Sequence, residues 1–249
     1  MNKMMMRLKK YLNFILPLLL MAGIITFSGC DEEEESPIVY ETSTMMDIES
    51  NVYTTIKIGN QWWMTENLRV TTFRNGQPIP NGQLDQDWTD SSAAFCLFQN
   101  DPVAPGLLYN WLAVASANGL APAGWHIATD EDWKELERSL GMSAADADKS
   151  GWRGTTEGNE LKLFGTTGWS PYQDNWPTNE SGFSADAGGC RLPTAVWGQP
   201  ALFATGFWWT ASPRDDDRAY YRYLDYKTAN VYRSADSKLY GFSVRCVKD

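Results

Sequence analysis

Residues 124–137 read GWHIATDEDWKELE, and here an irregular chain commits to a helix. Thr129 has the chemistry of an N-cap, and Asp132, three places on, is its capping-box partner. Asp130 and Glu131 complement the positive end of the helix dipole. Trp133, Leu136 and Leu140 fall on one face at i, i+3 and i+7, and Gly141 stops the run. An amphipathic helix must lay that face on another layer, so the flanking segments decide the fold.

Upstream, VYTTIKI (residues 52–58) alternates with period 2 and reads as a strand. Gly59-Asn60 is a two-residue turn signal, and QWWM (61–64) returns as the partner strand. Residues 74–106 are rich in Asn, Gly, Pro and Asp and read as loop. YNWLAVASA (109–117) reads as a short helix ending at Asn118-Gly119. Downstream, residues 141–190 have no sustained period and form a long irregular region, which in a compact domain is often functional. From residue 207 the chain is β again: FWWTAS, RAYYRYLDY, NVYRSA and YGFSVRCV, spaced for an antiparallel meander. Hairpin, helices, long loop region and terminal strands make an α+β domain.

Ahead of this domain, residues 1–10 carry Lys3, Arg7, Lys9 and Lys10 without an acid, and residues 11–27 are almost entirely apolar. That is the basic and greasy order of a secretory signal. The apolar run is interrupted by Asn13 and Pro17 and falls short of the roughly 20 residues of a membrane span. Phe27-Ser28-Gly29-Cys30 resembles a bacterial lipobox, with Phe27 where leucine is usual, which implies that Cys30 becomes a diacylated N-terminal residue. The acidic run 31–35 begins a solvated tether, and its position resembles the surface-export tag of bacterial lipoproteins. The expected organisation is a signal peptide over 1–29, a tether over 30–46 and one domain over 47–249.

The whole chain has a net charge of −10, but residues 1–29 hold four of the 21 basic residues and none of the 31 acidic ones, so in residues 30–249 17 bases face 31 acids, a net charge of −14. That disfavours nucleic acid, which requires a basic face. Twelve Trp and eleven Tyr serve either a loop-rich core or stacking platforms. Beyond Cys30 the cysteines are Cys96, Cys190 and Cys246, an odd number with no CxxC spacing, and the chain has a single histidine, His126. A zinc or redox site is not expected.

The stretches DIESNVYTTIKIGNQWWMTENLRV, GLLYNWLAVA, APAGWHIATDEDWKELE, NESGFSADAGG, FWWTAS and NVYRSADSKLYGFSVRCVKD resemble the successive blocks of the Fibrobacter succinogenes major paralogous domain, in that family's order. The family occurs largely as secreted or surface lipoproteins. GWHIATDEDWKELE and GFSVRCV are also similar, more distantly, to blocks of the formylglycine-generating-enzyme branch of the C-type lectin-like fold. This resemblance implies a C-type lectin-like domain: an antiparallel sheet from the N- and C-terminal strands, two flanking helices, and a long irregular loop region as the variable face.

The copper-binding cysteine pair of that branch has no counterpart in residues 219–226, so its chemistry does not carry over. No GxSxG, HExxH or Gly-Lys phosphate loop occurs. His126 reads as a packed, hydrogen-bonded imidazole, and capping accounts for Glu131 and Asp132. The chain reads as a non-enzyme without cofactor. The sugar-binding calcium motifs of C-type lectins are missing, and Asp215, Asp216 and Asp217 read as a solvated turn. Trp63, Trp125, Trp133 and Trp209 read as core. Trp152, Trp169, Trp176 and Trp197 lie in or beside the long loop region and are the ligand-binding candidates if exposed together. The family often has a cysteine where Ala121 stands, which leaves Cys246 without that partner. Cys190–Cys246, Cys96–Cys190 and three free thiols all remain open. The expectation is a lipoprotein of the outer membrane, palmitate-bearing and exposed at the cell surface, presenting a binding module for an extracellular glycan or protein. A structural subunit of a surface or adhesive assembly is the alternative.

Overall fold

The alternation of VYTTIKI builds the strand Val52–Ile58 (β2), and Gly59, at φ 58°, turns the chain back into Gln61–Met64 (β3). A positive φ in a two-residue hairpin favours glycine, so the turn sets the register, with Ile58 opposite Gln61. The computed structural model describes residues 39–84, 88, 92–101, 104–165, 168–198 and 203–249. The signal, Cys30 and the acidic run lie outside them. Residues 42–46, assigned to the tether from the sequence, instead form the strand Thr42–Met46 (β1) along the outer edge of β2. Four of its five side chains are exposed, so TSTMM carries almost no burial pattern to read.

Strand Cys246–Lys248 (β11) inserts between β3 and Trp125–Ile127 (β6), giving a five-stranded antiparallel sheet in the order β1-β2-β3-β11-β6. N- and C-terminal strands therefore share one sheet. Thr205–Pro213 (β8), Arg218–Asp225 (β9) and Val231–Ser237 (β10) form the expected meander. Gly151–Arg153 (β7) pairs with β10, so this second sheet runs β7-β10-β9-β8. Phe95–Cys96 (β4) and Leu108–Tyr109 (β5) make a small separate ladder.

YGFSVRCV does not extend the meander, because its first half crosses between layers. Phe242 exchanges backbone hydrogen bonds with Tyr109 at 2.9 and 3.1 Å, and the Ser243 carbonyl accepts the Trp209 N–H at 3.0 Å. The helix expected over 109–117 shrinks to Trp111–Val114 (α1). Asn110 takes the cap, its side chain accepting the Ala113 N–H, while Tyr109 is drawn into β5. Asp130–Ser139 (α2) starts as the sequence predicts: the Thr129 hydroxyl accepts the Asp132 N–H and the Asp132 carboxylate accepts the Thr129 N–H. Within the region 141–190 lie Ala144–Ala147 (α3), β7 and Glu157–Leu161 (α4), short elements below the reach of periodicity. The domain is thus mixed and strand-rich, with antiparallel sheets and few helices.

Helix α2 ties the sheets together. The Trp133 ring meets Trp63 of β3 at 5.3 Å, Trp208 of β8 at 6.2 Å and Phe183 at 5.4 Å. Beside this aromatic contact lies a buried ionic cluster. Glu137 takes Arg153 as a bidentate partner at 2.7 and 2.8 Å and Arg222 Nε at 2.7 Å. Asp130 takes Arg222 at 2.7 Å and Arg233 through two bonds at 2.7 and 2.9 Å. The three guanidiniums come from β7, β9 and β10, so the cluster fixes the inner face of the meander on the helix.

Candidate functional site

Strand side chains alternate, so the arginines that face α2 leave their neighbours on the opposite face of the second sheet. There the register aligns one ring from each strand: Trp152 opposite Tyr232, Tyr232 opposite Tyr223, and Tyr223 opposite Phe207. Ring centroids are 5.1 Å apart for Trp152–Tyr232 and 5.2 Å for Trp152–Tyr223. Phe207 and Tyr223 stack at 4.5 Å and 17°. At the inner end the row runs on to Phe242, 5.1 Å from Phe207. At the outer end Trp152 is 46% exposed. The row is therefore rooted in the core and open at one tip.

The Tyr223 hydroxyl donates to Asp225, and burial, reinforced by that carboxylate, pushes its pKa far above the ordinary phenol range. A polar cavity of about 400 Å³ flanks Trp152, lined in part by Ser143, Asp146, Lys149 and Thr155. Lys149 and Asp146, three positions apart, pair at 2.6 Å in its wall. An indole face beside hydrogen-bonding groups suits a sugar ring or an aliphatic or aromatic side chain. Tilts of 47° and 66° between Trp152 and its tyrosines rule out a flat platform, so the tip takes a local contact.

The four candidate tryptophans separate. Trp152 and Trp176 are exposed, at 46% and 52%, and no ring contact joins them among the described residues. Trp169 is buried at 1%, with its indole N–H on the Ala185 carbonyl at 2.8 Å, and is a core residue rather than a ligand contact. Trp197 is half-buried against Phe98 at 5.3 Å, with the Arg191 guanidinium 4.9 Å from its ring. The partners of Trp152 are tyrosines, not the other tryptophans. The signal that points to them is the period-2 alternation of RAYYRYLDY and NVYRSA, which sets Tyr223 and Tyr232 opposite in face to Arg222 and Arg233. Of the four expected core tryptophans, Trp63, Trp133 and Trp209 are buried and Trp125 is half-buried.

Cys96, Cys190 and Cys246 are all free and buried, so neither pairing forms. Burial pushes the Cys96 thiol up to about 11 and the Cys190 thiol up to about 12, and raises Cys246 further. All three are protonated, unreactive thiols at neutral pH. Among the described residues no group of three or more His, Cys, Asp or Glu side chains could hold a metal ion. Asp215 is engaged by Arg218 at 2.7 Å, and the Asp215 and Asp216 carbonyls accept the Lys238 ammonium.

His126 is hydrogen-bonded as expected, but it lies near the surface. Its Nε2 is 3.1 Å from Asp132 and its Nδ1 is 2.8 Å from Asp249. With a carboxylate at each nitrogen, both nitrogens donate and the ring is an imidazolium with no lone pair to offer a substrate. The Asp132 bond, followed by that from Asp249, raises its pKa to about 8. A folded pKa above the unfolded value of about 6.5 means the stabilisation is complete below pH 6.5 and is lost as pH rises through 8. The ring is 39% exposed, so solvent screening holds the contribution below about 1 kcal/mol. The expected result is a melting temperature falling by about 2–4 °C between pH 6 and 9, a fall absent in His126→Gln. Because the chain has one histidine, a single NMR imidazole signal titrating near pH 8 checks it directly.

A family model, the Fibrobacter succinogenes major domain, matches residues 56–248. The chain belongs to that family. The Fibrobacter succinogenes major domain so placed begins within β2, runs through both large sheets and ends in β11, enclosing Trp152, its tyrosines and His126. No curated protein and no solved structure matches the chain. Among the described residues no helix is long and apolar enough to cross a membrane.

Proposed function

We propose that this protein is a lipid-anchored lipoprotein of the outer membrane. It would present a C-type lectin-like binding module at the cell surface that recognises an extracellular glycan or protein through the tip at Trp152. The observation that carries the reading is the row of four aromatic rings, one per strand, ending in a half-exposed indole beside a polar cavity. Core tryptophans need no such opening, and an exposed indole rooted by stacked neighbours loses little side-chain freedom on binding. The fold assignment rests on the resemblance of two sequence blocks, together with a sheet shared by terminal strands. Anchoring rests on the signal-like start, Cys30 and the acidic residues 31–35. The double engagement of His126 favours binding over catalysis.

The test is a glycan and extracellular-protein array probed with the full chain in sugar-free detergent. A saturable ligand is expected whose affinity falls at least tenfold in Trp152→Ala while the melting temperature is kept. An array without any saturable ligand would remove the proposal. On cells, Cys30→Ala is expected to lose metabolic palmitate label and leave the membrane fraction.

One observation favours the alternative of a structural subunit. Among the described residues strand β1 is an unpaired edge, and Met46, Ile48 and Val52 at one end of the β1–β2 ladder are 62%, 49% and 54% exposed. Crosslinking on intact cells separates the readings: stoichiometric envelope partners lost on Met46→Lys indicate assembly.

A further inference from the structure

A second cavity, of about 400 Å³, opens where residues 65–69, 105–106 and 184–186 meet Arg245. Arg245 is fully buried. It donates to Asn67 Oδ1 at 2.8 Å and to the carbonyls of Met64, Phe183 and Ser184 at 2.9, 3.0 and 3.0 Å. All these acceptors are neutral. The anions that act on it through space are Glu66 and Asp186, both in the cavity wall, and neither forms a direct ion pair with it. Asn67 is fully used as well, accepting Trp208 and Arg245 and donating to Pro105 and Ser243. This back wall is therefore rigid and satisfied.

The unused capacity lies in the two carboxylates. Asp186 spends Oδ1 on the Ala187 N–H at 2.9 Å, and its Oδ2 has no hydrogen-bond donor among the described residues. Glu66 spends Oε2 on the Thr54 N–H at 2.9 Å and leaves Oε1 open in the same sense. Burial, partly offset by the Ala187 N–H and then by Arg245, lifts the Asp186 carboxyl to about 6. Arg69 and Arg245 balance Asp186 and Glu66, so the wall has no net charge. An ammonium would meet the two guanidiniums and a carboxylate would meet the two acids. A fitting occupant brings hydroxyl donors, no charge, and a C–H face for Leu163 and Pro105.

We propose that this cavity binds a neutral polyhydroxyl ligand, a single sugar unit or a comparable polyol, whose hydroxyls donate to Asp186 and Glu66. The inference stands apart from the reading of Trp152, since the two sites share no residue. The test is saturation-transfer NMR on the full chain in sugar-free detergent with glucose, galactose, mannose, fucose, N-acetylglucosamine and inositol. Transfer to at least one is expected. Its affinity should fall ten- to a hundredfold in Asp186→Asn, fall in Glu66→Gln, and stay unchanged in Trp152→Ala. Transfer to none of them would overturn the proposal, as would transfer that survives both carboxylate changes. Asp186-dependent binding of simple amines or carboxylates without any polyol would overturn it too. If Asp186→Asn does not fold, Glu66→Gln, at a half-exposed side chain, carries the test.

Discussion

Glu137→Ala is expected to lose about 3–5 kcal/mol of stability, the range for removing one partner of a buried ion pair. The carboxylate is fully buried and engages two guanidiniums that are equally inaccessible. Among the described residues, without it Arg153 keeps no carboxylate partner and Arg222 keeps only Asp130. Neither arginine can be deprotonated in compensation, so each must be rehydrated or carried as an unpaired charge. Glu137→Gln retains the shape and one acceptor oxygen, and a smaller loss is expected. Urea unfolding at pH 7 measures both, and a midpoint shift without a change of slope identifies a native-state effect. An alanine variant within 1 kcal/mol of the parent would mean that water reaches the cluster.

Trp133→Ala is expected to cost a similar 3–5 kcal/mol, through a cavity rather than a charge. The ring is 1% exposed and touches Trp63, Phe183 and Trp208, so its removal leaves space that both sheets border. The buried Trp133 Nε1 also has no hydrogen-bond partner among the described residues. Trp133→Phe gives up ring volume but also deletes that orphaned donor, which carries a desolvation penalty of about 1–3 kcal/mol. The phenylalanine variant is therefore expected to fall within about 2 kcal/mol of the parent by thermal unfolding. Equal losses for Phe and Ala would indicate that the donor is satisfied by water.

What could be read from the amino-acid string follows from the range over which each signal acts. The cap of α2, the β2–β3 hairpin and the meander are local, set by residues within a few positions of each other, and they stand as expected. The ends of α1 and the fate of YGFSVRCV are not local, because Tyr109 and Phe242 exchange hydrogen bonds across the fold. β7 is too short to show alternation and exists because Tyr232 and Arg233 of β10 offer it a register. The site shows the same division. The sequence marks Trp152 only by its place in the long loop region, whereas the ring row needs the register of four strands. Asp130 was assigned to the helix dipole, and its burial against two arginines depends on strands some 90 and 100 positions away. Trp169 lies in the core although the sequence sets it in the long loop region, because such a region can still feed the core.

Strand β11 closes a gap between β3 and β6, whose paired residues precede it by about 180 and about 120 positions. Until residues 246–248 are in place, the five-stranded sheet exists only as a hairpin with its added edge and a detached segment. Its contact order is therefore high, and folding is expected to be slow and late rather than progressive from the N-terminus. Were the chain exported as proposed, crossing a membrane as an extended polymer, this arrangement would delay collapse on the side of synthesis and leave the fold to complete itself after transit.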